Sequence, residues 1–307
     1  MHLIQRFRFL ISGSLVAAIV LVAGVARAES DFEKILRQQN QTNVQGYMQP
    51  IADLFGANLH SGFNHSAYIP QSGFHFRFDI MAMAGLVQDD QMSYEAQSPE
   101  GFTPSKFKTA TIFGGKGGSV PNPIAPGDTN LAYKGSDGLF STTIFPLAAP
   151  QITIGHVYGT EAVIRYVPIP EIGSLPAITL WSLGARHSVS QYLEGFPIDL
   201  AVGAMYSSFS VGDLVTVKGY AAALQASKEW TVFLIYGSLQ MEKSTLTLSY
   251  KTTDPNATNQ TINIDLEGSN VFRATIGGGL SLGFLKLYAD ANFGAITSVS
   301  GGIGFGF

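Results

Sequence analysis

The stretch that decides the fold is the last one, Val299-Ser300-Gly301-Gly302-Ile303-Gly304-Phe305-Gly306-Phe307. Counted back from the end, Phe307, Phe305, Ile303, Gly301 and Val299 share one face, and the other carries only Gly306, Gly304, Gly302 and Ser300. A period of two is that of a β-strand, whose successive side chains point to opposite sides. Here one side is built of large apolar groups and the other is nearly bare, so the two sides meet different surroundings.

Working outward, the same alternation recurs. Leu285, Leu287, Ala289 and Ala291 oppose Lys286, Tyr288, Asp290 and Asn292; Ile262, Ile264 and Leu266 oppose Thr261, Asn263 and Asp265. Val215 and Val217 flank Thr216 and Lys218, while Leu200, Val202 and Ala204 oppose Asp199, Ala201 and Gly203. Trp181, Leu183 and Ala185 oppose Ser182, Gly184 and Arg186, and Phe74, Phe76, Phe78 and Ile80 oppose His75, Arg77, Asp79 and Met81. Most of these runs reach the about 9 to 11 residues that a tilted strand needs to cross a bilayer. Only 13% of the 307 residues are charged, against about 25% in an ordinary soluble domain, so much of the surface faces something other than water. The pattern predicts an all-β chain folded as a transmembrane antiparallel β-barrel. About ten strands are clear, an uncertain pair falls near residues 106–113, and even parity makes 12 the expected number within a range of 10–14. The end of the chain resembles the carboxy-terminal sorting signal of outer-membrane barrels, read by the barrel-assembly machinery as an added edge strand. Phe307, Phe305, Ile303 and Val299 carry that resemblance.

The amino terminus reads as an export signal: Arg6 and Arg8, an apolar run over residues 10–24, then Ala26-Arg27-Ala28 before Glu29. Residues 1–28 are therefore expected to be removed and the remainder to reach the bacterial outer membrane. The formal charge of −4 becomes −7 once the three arginines of that segment are gone, which argues against a nucleic-acid partner. Absence of cysteine excludes disulfides and thiolate metal sites. In residues 29–72, Val44, Tyr47, Met48, Ile51, Leu54 and Phe55 recur at helical spacing, with Pro50 expected to break or kink the run. This is a short helical plug, or a segment on the periplasmic side. Residues 73–307 form the barrel, with 87–149 a long irregular excursion rich in glycine and proline. If the last strand runs toward the periplasm, Gly283, the Ser227-Lys228-Glu229 turn and residues 191–197 lie on that side, with residues 168–176 and 252–260 outside.

No G-x-S-x-G elbow, H-E-x-x-H helix or phosphate loop is present, so an enzyme, a cofactor and a metal site are not expected. His60, His65 and His75 fit neither a helical pair nor a strand face and read as turn or surface residues. The charges expected to face the lumen are Arg77, Asp79, Arg165, Arg186, Asp199, Lys218, Arg273, Lys286 and Asp290, joined by Glu161 and Asp265. Their near balance fits a filled interior held by structural ion pairs better than a wide selective pore. Gly277-Gly278-Gly279, in mid-strand, leaves room for bending or for close approach of a plug.

The run Gly155-His156-Val157-Tyr158-Gly159-Thr160-Glu161, continuing to Pro168, is joined by Pro150-Gln151, Trp181-Ser182-Leu183-Gly184, Pro197-Ile198-Asp199-Leu200, Phe272-Arg273-Ala274 and the Tyr47…Pro50 element. Together they resemble an uncharacterised bacterial outer-membrane family, domain of unknown function 6588, over nearly the whole mature chain. That resemblance implies an outer-membrane barrel and brings no substrate. A looser likeness is to the long-chain fatty-acid and hydrocarbon transporters, which place an amino-terminal hatch inside a barrel. The expectation is thus a plugged barrel that binds or passes small apolar molecules, with outer-membrane lipid and lipopolysaccharide around it. The alternative is a structural or adhesive barrel acting through its outer loops; an outer-membrane enzyme is a more distant third.

Overall fold

The computed structural model describes residues 40–173, 176–251 and 261–306. The export segment, the 252–260 connection and Phe307 lie outside the described residues.

Asn40 opens the first helix, α1 (Gln41–Leu59), by accepting a hydrogen bond from the backbone N–H of Asn43 on its side chain, at 2.8 Å. The helix runs through Pro50 without the break that the proline offered as one of two outcomes. Proline removes one hydrogen bond of the helical ladder, but the helix is buried on nearly every side, and packing of that extent outweighs local propensity.

Strands follow in the order β1 (Ser72–Leu86), β2 (Ser93–Gln97), β3 (Lys106–Ala110), β4 (Ser119–Val120), β5 (Tyr133–Lys134), β6 (Ile144–Val157), β7 (Thr160–Ile169) and β8 (Ile178–Ser188). Then come β9 (Asp199–Val211), β10 (Val215–Trp230), β11 (Phe233–Lys251), β12 (Thr261–Glu267), β13 (Phe272–Leu282), β14 (Leu285–Phe293) and β15 (Ser298–Gly306). Neighbours pair antiparallel from β1 through β6, β7, β8, β9, β10, β11, β13, β14 and β15, and β15 pairs back with β1, closing a ten-stranded ring. A closed ring leaves no open edge.

The expected 12 strands become ten in the ring for two reasons. The uncertain pair near residues 106–113 forms a separate two-stranded sheet of β2 and β3, whose five-residue strands are too short to span a bilayer. The segment from Thr261 to Glu267, read as a strand of its own, stands end to end with β13 along the long β11: β12 pairs with residues 245–251 and β13 with residues 233–241. β12 is thus one further strand beyond the ring. Strand β6 begins at Ile144, inside the stretch read as irregular; its Pro146 and Pro150 mask a period that the pairing with β1 makes plain.

The two ends of the ring differ. At one, three connections are two-residue turns, Tyr158-Gly159, Thr231-Val232 and Gly283-Phe284, with Tyr158, Gly159, Thr231 and Gly283 at positive φ, and residues 189–198 join β8 to β9. The turn expected at residues 227–229 is β10, and the chain reverses at residues 231–232. At the other end lies the excursion of residues 87–143. Outward-facing residues are large and apolar, including Leu183, Val202, Leu224, Ile235, Leu239 and Ile303, all exposed. Val299 shares that face, and Phe305 follows it by the alternation of β15.

Candidate functional site: the lumen

From β6 to β12 the inward-facing residues fall into tiers that run along the wall in register. The tier nearest the excursion is apolar, with Leu147, Ile169, Ile178, Val211, Val215, Leu248 and Ile264 on successive strands. The next is apolar as well: Ala149, Val167, Leu180, Phe209, Val217, Leu246 and Leu266. One inward position further toward the short turns, the character changes at once along β1 and β6 to β11, to Asp79, Gln151, Arg165, Ser182, Ser207, Gly219 and Ser244.

Helix α1 occupies the apolar tiers. Its Val44, Tyr47, Met48, Ile51, Leu54, Ala57 and Leu59 are buried against them and against Ile112 and Phe113 of the excursion. Its buried residues fall on nearly every side, with Asn43, Asp53 and Asn58 hydrogen-bonded among them, as suits a helix enclosed by a barrel. Residues 60–71 then thread the polar tier toward the short-turn end and enter β1.

The junction is held by arginines. Arg165 donates from Nη1 to the Leu59 carbonyl at 3.1 Å, from Nη2 to the Ser61 carbonyl at 2.8 Å and from Nε to Gln151 at 2.8 Å. Arg273 donates from Nη2 to the Ala57 carbonyl at 2.6 Å and to Glu242 at 2.8 Å. Arg186 reaches the Ser66 carbonyl and pairs with Glu161 at 2.8 Å. All three arginines are about as buried as side chains become, at 1% exposure. The last carbonyls of a helix have no partner within it and carry the negative end of its dipole; cationic donors complete them here.

Of the charges assigned to the lumen from sequence, Arg77 and Asp79 pair at 3.0 Å, and Asp290 accepts from the Tyr236 hydroxyl at 3.0 Å and from Asn292 at 2.7 Å. Asp199 and Lys286 share the inward face but are only half buried, near the short turns. Lys218 is a correction: it is exposed on the outer face, and Val217 points in, completely buried. Asp265 is reversed in the same way, with Ile264 and Leu266 inside. Both lie beside apolar tiers, where the rule of apolar out and polar in is inverted because the helix supplies an apolar interior. Glu242, missed from sequence, shares its face with Ser238, Gln240 and Ser244; the alternation of β11 contained that signal.

The histidines are corrected in part. His60 stands in the turn after the helix, but it and His65 are buried, at 1% and 2% exposure. Burial pushes the His60 imidazole down to about 4, against the opposing pull of the Glu242 carboxylate 3.8 Å away. Burial, then the neighbouring Arg77 cation, also lowers His65. Arg77 donates to the Nε2 of His65, a contact that needs this nitrogen unprotonated, and the His65 ring stacks on Tyr288 at 4.4 Å. His75 bonds Glu161 at 3.1 Å. Among the described residues no group of three metal-ligating side chains forms. At Gly277, a Cβ would stand 2.4 Å from the Tyr236 ring, so this glycine makes room for the tyrosine that reaches Asp290 rather than for the threaded segment.

Among curated proteins none matches. Solved structures include the toluene transporter TbuX of Ralstonia pickettii, at 9% identity over 86% of this chain and 99% of that one, TM-score 0.25. A deltaS2S3 mutant of the monoaromatic hydrocarbon channel TodX aligns at 8% identity over 81% and 93% of the two chains, TM-score 0.23. A mutant porin of Rh. blastica aligns at 10% identity over 76% and 100%, TM-score 0.13. Likenesses this slight bear no argument about the chain. The family model does: it matches residues 6–307, and the chain belongs to DUF6588, a family of unknown function.

Proposed function

We propose that the chain is an outer-membrane channel for small apolar molecules whose lumen is plugged by residues 41–71. The observation that carries this reading is the pair of apolar tiers inside a closed ring, with the Phe55 ring only half buried between Phe145 and Phe209, at centroid distances of 4.7 and 4.6 Å. A lumen serving ions or sugars has no use for such a lining. The apolar outer belt takes lipid and lipopolysaccharide, the two-residue turns face the periplasm, and the excursion faces outside. Residues 1–28 act as the export signal, and the carboxy-terminal strand, through Val299, Ile303, Phe305 and Phe307, is what the assembly machinery reads.

Uptake of toluene into liposomes carrying the full chain, against empty liposomes, tests the reading. Faster uptake is expected, and faster still when residues 29–70 are deleted and the barrel still forms. No difference among the three preparations removes transport.

A further inference from the structure

Two buried hydroxyls in the polar tier have no hydrogen-bond partner: Ser182 Oγ and Ser207 Oγ, on residues 2% and 0% exposed. They stand directly opposite each other on β8 and β9. Next in the same tier is Gly219 on β10, against which the His60 ring lies, so that a Cβ there would be 2.6 Å from the imidazole. Burying a hydroxyl without a partner costs free energy, and unpaired groups of this kind are rare in folded chains. Immediately above them, one inward position toward the excursion, stand Leu180 and Phe209, and on Phe209 rests the half-buried Phe55 ring. Through Phe209, the half-buried Phe55 ring therefore stands over a floor of uncharged hydrogen-bonding groups. The nearby charges are already engaged: Arg165 by two carbonyls and Gln151, Arg273 by Glu242 and Ala57.

We propose that this wall is a binding site for a neutral monocyclic molecule bearing one hydroxyl, a phenol, with its ring beside Phe55 and Leu180 and its hydroxyl on Ser182 and Ser207. This rests on the channel reading and narrows its substrate class. A hydroxyl fits because serine hydroxyls both donate and accept, and a neutral one because a charged ligand would enter with no free counter-charge on this wall.

p-Cresol and toluene are alike in size and differ by the hydroxyl, which makes them the matched probes. Equilibrium dialysis against the full-length barrel in detergent micelles, with empty micelles as background, is expected to give p-cresol about 3- to 10-fold tighter binding than toluene. The double variant Ser182→Ala and Ser207→Ala, checked for unchanged heat-modifiable migration, should lose that preference and bind toluene as before. Equal binding of the two probes to the native chain overturns the hydroxyl site, whose serines then hold water only, and leaves the channel reading standing. A preference that survives in the double variant overturns it too. Binding of neither probe above the micelle background overturns both.

Discussion

Arg165 offers the sharpest test of what keeps the threaded segment in place. Replacing it by methionine, Arg165→Met, keeps most of the side-chain volume and removes the three donors that reach Leu59, Ser61 and Gln151. Since no carboxylate pairs with Arg165, the change leaves no opposite charge stranded; it also relieves the cost of burying a cation, of several kcal/mol. What remains unpaired are Gln151 Oε1, on the wall whether or not the segment is seated, and the two carbonyls of Leu59 and Ser61, at about 1–3 kcal/mol each while they stay buried. Release of the segment rehydrates both. With the relieved cation burial set against the about 2–6 kcal/mol of the two carbonyls, the seated form should lose about 2–4 kcal/mol, raising the released fraction about 30- to 1000-fold. Hydrogen exchange of the amides at residues 57–66, in barrels that still migrate as folded, reads this directly. Unchanged exchange in Arg165→Met would refute the idea that the arginine holds the junction, whereas Arg165→Lys, which keeps the charge but not the fork, should fall between the two.

Acid should loosen the same segment. His60 and His65 are neutral where they sit, so above about pH 6.5 their protonation favours neither form; below it the released form takes up protons that the seated form refuses. For His60 each unit from about 6.5 down to about 4 then favours release up to about tenfold, and His65 acts in the same direction. Exchange measured at pH 8, 6 and 4.5 checks this, and His60→Gln with His65→Gln should flatten the dependence. Gly219→Val places a side chain where the His60 ring lies and should destabilise the folded barrel by about 1–3 kcal/mol, read as a lower midpoint in urea. Leu239→Arg, on the exposed outer belt, should cost about 2–4 kcal/mol in a lipid bilayer near its midplane. Lys218→Leu should cost less than about 0.5 kcal/mol; a large loss there would return Lys218 to the lumen.

Much of the barrel was legible because a strand repeats every two residues, so Phe76, Phe78 and Ile80 could be set against Arg77 and Asp79 without any partner in view. What alternation cannot tell is which face is inside. At Val217 and Lys218 the rule that polar faces the lumen pointed the wrong way, since the interior at that level is made apolar by a helix more than 150 residues earlier. The strand number failed for a related reason: the alternation of residues 261–267 is real, but only the pairing of β12 and β13 with one strand, β11, shows that they form a single line.

The sequence by itself determined the class of fold, the inward place of Arg77, Asp79, Arg165, Arg186, Arg273 and Asp290, and the helical character of residues 41–59. Those follow from local period and side-chain chemistry. Only the tertiary structure decided that Arg165 and Arg273 converge on the carbonyls of one helix end while Arg186 takes that of Ser66 further on, that His60 and His65 are buried, and that Ser182 and Ser207 meet beneath Phe209 without partners. Each of these depends on strand register, which is set by closure of the whole ring and is not written in any one strand.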